Sequence, residues 1–292
     1  MGYRPEANRA STVSGAAAGV GQWPAATHAL IRSTKRARKK PCHQSSSTCG
    51  WQPTDQALPL ASYEVHVYRA TLDLPASQVH RLTLTLSPDE RERAERLRFA
   101  KHRQRFVVAR GLLRIILGQM LGLRAEQVCF RYTPHGKPEL DGETGADSLR
   151  FNLSHSHGLA VYALAHDGRV GIDLERVRSD VDTASIAASF FSSSEIAVLR
   201  ALAPDLQTAA FFRAWTLKEA YLKARGEGLA LPLDRLDVSP FLGKPAALAS
   251  VEHAPQEAAC WSLQTLSPGP GYAAALAVEG TGWQLRCAHW TP

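Results

Sequence analysis

Apolar and polar residues begin to alternate at Tyr63, where Tyr63, Val65 and Val67 interleave with Glu64, His66 and Tyr68. This period of two predicts a half-buried strand and places the start of the folded region near residue 60. Residues 82–86 (LTLTL) alternate too, yet they run straight into Ser87-Pro88-Asp89-Glu90: a serine cap, a first-turn proline and a glutamate that closes a capping box. A helix therefore starts at Pro88, and residues 75–86 fit either a strand or a helix. After a break near Lys101, Phe106, Ala109, Leu112, Leu113, Ile116 and Met120 recur at helical spacing and predict a largely apolar helix over 105–121. A short strand near 128–132, a turn at Pro134-His135-Gly136, and strands over 149–153, 159–165 and 169–175 follow. The Asp167-Gly168 dipeptide predicts a hairpin between the last two. A second Ser-x-x-Glu box, Ser192 with Glu195, opens a helix that ends near Leu202, and another helix over 207–225 ends at Gly226 and Gly228. Late strands are expected over 260–266, 272–278 and 283–289. This succession predicts an α+β chain of two similar halves, 60–166 and 167–292, behind an N-terminal extension, 1–59.

With 292 residues, 45% of them apolar and 21% charged, the chain has ordinary globular composition, which excludes a disordered polymer. Five cysteines (Cys42, Cys49, Cys129, Cys260 and Cys287) include no CxxC pair and predict reduced thiols in a cytosol, without a disulfide framework or a sulfur-bound metal. No apolar run approaches the ~18 residues of a membrane span, and no apolar core follows a basic N-terminus as in a secretory signal. A soluble cytoplasmic protein is the expectation. The net charge of +7 points to nucleic acid until it is divided along the chain. Residues 1–50 hold eight Lys and Arg against the single acid Glu6, and the rest holds 26 against 26. The excess thus belongs to an Ala-, Ser- and Gly-rich leader that reads as a disordered tail, either a bare extension or a polyanion-binding arm, and the folded part is expected to take no specific nucleic acid.

Three carboxylates carry the chemistry. In Gly171-Ile172-Asp173-Leu174-Glu175 the strand period puts Asp173 and Glu175 on one face and turns Ile172 and Leu174 to the other. Two acids on one small patch repel each other unless a cation sits between them, which suggests a hard divalent ion; two unrelated acids on a solvated strand face also fit. Trp215, Glu219 and Lys223 lie four apart on one helix face, where Glu219 and Lys223 read either as a surface ion pair or, given the aromatic run before them, as part of a packed segment. Anion-binding groups lie elsewhere. Lys137 sits in a tight Gly-Lys-Pro turn, and Asn152-Leu153-Ser154-His155-Ser156-His157 puts short donors and imidazoles at a strand end. Between Arg81 and Arg105 eight basic residues face four acids, enough to dock an anion. His155 and His157 have no third partner at zinc spacing. Glu195 reads as a capping-box residue or, less simply, as a catalytic acid.

In order, Gly136 to Pro138 (GKP), Phe151 to Ser156 (FNLSHS), GIDLE at Gly171, FFSSSE at Phe190 and WTLKEAYLKARGEGL at Trp215, followed by LPLD, resemble the 4′-phosphopantetheinyl transferases of the surfactin-synthetase-activating type. The likeness spans residues 60–290 and leaves the leader unmatched. It implies a pseudo-two-fold monomer of two α+β halves with coenzyme A between them. The implied reaction moves the phosphopantetheine arm to a serine of an apo acyl or peptidyl carrier protein and releases adenosine 3′,5′-bisphosphate. Carried over residue by residue, Asp173, Glu175 and Glu219 are implied Mg²⁺ ligands. Glu219, or a metal-bound water beside it, takes the serine proton, and Lys223 stabilises the diphosphate. Lys137, Ser154 and His155 are implied coenzyme A phosphate contacts, and Arg105 contacts the 3′-phosphate. Where some relatives have a lysine early in the charged helix this chain has Glu90, which shifts that further contact to Arg93. Leu174, between the strand acids, cannot be a ligand, so Glu219 must complete the set. A non-catalytic coenzyme A or carrier-binding relative is the alternative.

Overall fold

The structure, a computed structural model, describes residues 50–142, 148–226, 231–238, 246–251 and 256–292. The expectations for the leader up to residue 49 and for Gly228 lie outside these residues.

The first half opens with β1 (Gln52–Thr54) and β2 (Glu64–Thr71), then α1 (Ala76–Thr85), α2 (Pro88–Glu95) and α3 (Ala100–Leu121), the short strands β3 (Phe130–Tyr132) and β4 (Pro138–Leu140), and the pair β5 (Leu149–Ser156) and β6 (Leu159–His166). The second half has β7 (Val170–Arg176), α4 (Thr183–Phe190), α5 (Ser193–Ala201), α6 (Pro204–Arg225), β8 (Leu236–Val238), β9 (Leu248–Val251), β10 (Trp261–Leu266) and β11 (Tyr272–Glu279), and β12 (Gln284–Trp290) closes the chain. The ambiguous stretch at 75–86 is helical. Its run into Ser87 lets α1 pack on α3, where Leu82 is buried.

The halves repeat one topology. In the first, β2 pairs antiparallel with β6, which pairs antiparallel with β5; in the second, β7 pairs with β11, which pairs with β10. Three helices follow β2 in the first half and β7 in the second, and the third of each set is 22 residues long and ends at a left-handed glycine, Gly122 or Gly226. Both capping-box glutamates are buried and clamp the long helix of their half. Glu90 takes Arg114 at 2.6 Å and Arg110 at 3.1 Å, and Glu195 takes Lys218 at 2.6 Å. The fold is therefore α+β in two similar halves, with one exchange: β12 runs parallel beside β2, in the first half's sheet.

Strand alternation sorts the core into layers. Val65, Val67, Val161, Ala163 and Ala165 pack between the two sheets against Val170, Ile172, Leu174, Ala274, Leu276 and Val278. On the outer faces, Tyr68, Ala70, Ala160, Tyr162 and Leu164 pack with α3 residues, and Ala275 and Ala277 with α6 residues. The order is helices, sheet, sheet, helices.

Two expectations fail. Asp167-Gly168 makes no hairpin, because β6 and β7 belong to different sheets. The turn chemistry is met, with Asp167 at φ 62°, but β6 is apolar on both faces and serves two core layers, which a hairpin with one solvated face would not require. The tight hairpin is β5–β6, where His157 and Gly158 join the paired residues Ser156 and Leu159. Cys129 and Cys260 are free and exposed, whereas Cys287 is disulfide-bonded. No CxxC-like spacing marks a bond between distant cysteines.

Candidate active site

The site forms where β5, β7 and α6 meet. Gly171 makes this possible: a Cβ there would fall 2.1 Å from the Ala220 carbonyl oxygen and 2.3 Å from the Ala224 nitrogen, so α6 lies directly on β7. With Ile172 and Leu174 committed to the core between the sheets, Asp173 and Glu175 turn toward α6, as the strand period predicts. Trp215, one turn before Glu219, stacks on Phe211 and meets Phe190 edge-on, so this part of α6 is packed rather than laid on the surface.

The second wall is β5. Asn152, Ser154 and Ser156 share one face of that strand and accept the β7 backbone N–H groups of Ile172 at 2.8 Å, Leu174 at 3.3 Å and Arg176 at 3.1 Å. Side chains thus replace backbone pairing where the two sheets abut. The same hydroxyls reach the acids: Ser154 Oγ donates to Asp173 Oδ1 at 3.1 Å and Ser156 Oγ to Glu175 Oε2 at 2.9 Å. Lys223 Nζ donates to Asp173 Oδ1 at 2.5 Å and to Ser154 Oγ at 3.1 Å, so its partner is the strand acid and not a solvated neighbour on its own helix.

The electrostatics tie the three carboxylates together. Burial, then the charge of Asp173, pushes Glu219 up to about 7, with Glu175 adding and Lys223 opposing. Glu175 is raised for the same first two reasons, burial and Asp173. Asp173 is 3% exposed, and its Oδ2 is buried without a hydrogen-bond partner. Among the described residues no three His, Cys, Asp or Glu side chains are drawn into a finished ligand cluster, and the Lys223 ammonium lies on Asp173. The donor set still suits a hard cation: one orphaned buried carboxylate oxygen and two carboxyls whose charged forms are disfavoured by burial and by the charge of Asp173.

The expected anion-binding groups are spread over several elements. His155, on the opposite face of β5 from the serines, is held below its ordinary imidazole value by desolvation and by the fields of Lys223, Arg105 and Arg110. Arg105 forms a bidentate pair with Asp73, both bonds 2.7 Å. Arg93 stands on the exposed side of α2, its guanidinium 5.7 Å from the Phe106 ring. Lys137, expected as a phosphate contact, donates its Nζ to the carbonyls of Lys223 at 2.6 Å, Val170 at 3.3 Å and Ala224 at 3.4 Å. The unpaired carbonyls of a helix C-terminus attract an ammonium that burial has stripped of water. Glu195 faces Lys218, the Ser192 N–H and the Val238 N–H, a structural role with no path to the acids described above.

Sequence reasoning missed the structural roles of Asn152, Ser156 and Gly171, and it missed Asp73. The N-x-S-x-S alternation in FNLSHS carried the signal for the first two, three short polar side chains on one strand face beside a buried strand.

A family model of the 4′-phosphopantetheinyl transferase superfamily matches residues 169–277, and one of the 4′-phosphopantetheinyl transferase N-terminal region matches residues 75–167. The 4′-phosphopantetheinyl transferase HetI of Nostoc sp. is 44% identical over 240 residues, 82% of this chain and 98% of that protein. Psf-1 of Bacillus pumilus is 35% identical over 68% of this chain and 81% of its own length, and Sfp of Bacillus subtilis is 30% identical over 72% and 90%. Matches across both halves, together with near full-length identity to HetI, leave one conclusion: the chain belongs to the 4′-phosphopantetheinyl transferase superfamily and is an enzyme of that kind.

Proposed function

We propose that this enzyme transfers the 4′-phosphopantetheine arm of coenzyme A to a serine hydroxyl of an apo acyl or peptidyl carrier protein, depends on Mg²⁺, and releases adenosine 3′,5′-bisphosphate. The observation that carries the reading is the convergence of Asp173, Glu175, Glu219 and Lys223 from a strand and a helix onto one patch with mutual electrostatic coupling.

Displacement at phosphorus asks for positioning and charge neutralisation more than for covalent help from the protein. Asp173, Glu175 and Glu219 would hold the cation, and the orphaned Asp173 Oδ2 is the oxygen most in need of it. When bound, the ion neutralises the diphosphate of the donor and offsets the repulsion among the three acids. Glu219 has its proton affinity brought near neutrality by burial and by its acidic neighbours, which suits a group that accepts the serine proton as the new P–O bond forms. Lys223, which donates to Asp173, would take the charge developing on the leaving bisphosphate. Ser154 on the seam, and His155 on the other face of β5, would contact the phosphates of the donor. Arg105, with Arg93 farther out, would receive the 3′-phosphate end.

The acceptor serine comes from the partner. Carrier proteins are generally acidic, and the exposed Arg91, Arg93, Arg96, Arg98, Lys101 and Arg103 offer a matching surface, so steering should weaken as salt rises. The reading places the enzyme in the cytoplasm as a monomer, with the basic leader dispensable. The test is mass spectrometry of an apo carrier protein incubated with the enzyme, coenzyme A and Mg²⁺. The carrier should gain one phosphopantetheine group, and a protein deleted of residues 1–49 should do the same. A coenzyme A-binding relative without catalysis would bind the nucleotide and leave every apo carrier unmodified.

A further inference from the structure

Lys137 approaches the site from the far side of the molecule's internal boundary. It ends a tight turn between β3 and β4 in which the Thr133 N–H donates to the Lys137 carbonyl at 2.9 Å, the Gly136 N–H to the Thr133 carbonyl at 2.8 Å, and the Lys137 N–H to Thr133 Oγ1 at 3.1 Å. Gly136 takes φ 78°, where a side chain would be strained. The backbone of Lys137 is therefore fixed before its side chain extends.

That side chain ends on α6. Its three N–H donors match three carbonyls, those of Lys223, Val170 and Ala224. The last carbonyls of a helix have no partner within the helix and sit at the negative end of its dipole. Of these, Leu222 is satisfied by the N–H of Gly226, and the next two are the ones the ammonium takes. The Lys137 stem passes beside the capping Gly226, with its Cδ 3.6 Å from where a Cβ there would stand, an ordinary packing distance.

We infer that Lys137 is a positioning residue, a cap supplied by the first half to the last turn of α6, which holds Lys223 against Asp173 and α6 against the start of β7. The inference deepens the proposed transferase reading and rests on it for its kinetic part. Burial lowers the ammonium to about 8, in keeping with a group lodged among carbonyls. To meet a phosphate, Lys137 would have to abandon all three acceptors and strand two of them at a helix end.

The test uses the full chain and the variant K137M, which keeps most of the aliphatic stem and deletes the ammonium. Without coenzyme A, backbone amide exchange should accelerate in the last turn of α6 and stay unchanged in α3. In steady state, kcat should fall roughly 10- to 100-fold, the scale set by ångström misplacement of a reacting group, while KM for coenzyme A stays within about two-fold. K137Q, which retains two donors on a shorter reach, should fall between wild type and K137M in both measurements, and it carries the same test if K137M does not fold. A rise in KM for coenzyme A with kcat and amide exchange unchanged would overturn the inference and return Lys137 to the substrate. Should the wild-type protein transfer nothing, the transferase reading fails, and the exchange comparison still decides whether Lys137 caps α6.

Discussion

Gly171→Ala is the sharpest perturbation of the site, because it adds one methyl group where two elements already touch. The new Cβ would stand 2.1 Å from the Ala220 oxygen, 2.3 Å from the Ala224 nitrogen and 2.8 Å from the Ala224 Cα. Non-bonded contacts of this kind settle above about 3.2 Å, so α6 must retreat by about 1 Å over the turn that carries Ala220 and Ala224. Two anchors oppose that retreat, the Lys137 ammonium on the Lys223 and Ala224 carbonyls and the Lys223–Asp173 pair. Overpacking of a tight core costs about 1–3 kcal/mol. For a chain of this size that is a fall in Tm of roughly 3–10 °C. Glu219 and Lys223 travel with the helix, so the carboxylates separate, and a shift of that size can cost about 10²-fold in rate. Thermal unfolding followed by circular dichroism and single-turnover transfer to an apo carrier read the two effects. Gly269→Ala is the control: nothing lies within 4 Å of its added Cβ, and it should match wild type. If Gly171→Ala melts within about 1 °C of the control and transfers at the same rate, α6 does not rest on β7 as described, and the account of the site is wrong.

Other outcomes follow from the same geometry. Glu219→Gln should abolish transfer yet raise Tm at pH 8. The folded carboxyl titrates near 7 against 4.5 for the free side chain, so the wild-type protein loses stability as pH rises through that window and the amide does not. The difference should vanish below pH 4.5, and an amide variant that is less stable at pH 8 would contradict the burial argument. Adding MgCl₂ at pH 8 should stabilise the wild-type protein and leave Glu219→Gln unchanged; equal stabilisation of both would remove Glu219 from the ligand set. Glu195→Gln leaves the buried Lys218 ammonium with its carbonyl acceptors on Leu233 and Leu236 but no counter-charge, and should cost about 3–5 kcal/mol in urea unfolding, with a cost under about 1 kcal/mol showing that the pair is not buried as described. Ser154→Ala orphans the Leu174 N–H as well as a partner of Asp173, and about 1–3 kcal/mol should be lost, more than for Ser156→Ala at the exposed end of the seam.

Much of this arrangement could be read from the residues. The alternation of Gly171 to Glu175 placed two acids on one face and two apolar side chains in the core, and the structure keeps both assignments. Ser87 with Glu90 and Ser192 with Glu195 marked two helix starts because a capping box is a local device. What escaped notice is non-local. Asp167-Gly168 looked like a hairpin because turn chemistry says how the chain reverses and not which strand lies beside it. The carbonyl acceptors of Lys137 could not be foreseen because they are supplied by residues 86 and 87 positions later. The serines of FNLSHS looked like ligand donors, and their work for β7 shows only when the strands are set side by side.

The duplicated plan has one more implication. Counting back from the capping glycines Gly122 and Gly226, Lys218 falls on Arg114, whereas Glu219 falls on Ile115 and Lys223 on Gln119. Both long helices carry the internal clamp, and only the second carries an acid and a lysine at the other two positions. In the first half β12 lies along the free edge of β2, where the β7 counterpart faces the serine-bearing strand. The first half therefore repeats the scaffold without the chemistry: its long helix is clamped to a buried capping glutamate, and a strand occupies the edge that in the second half is left to the serines.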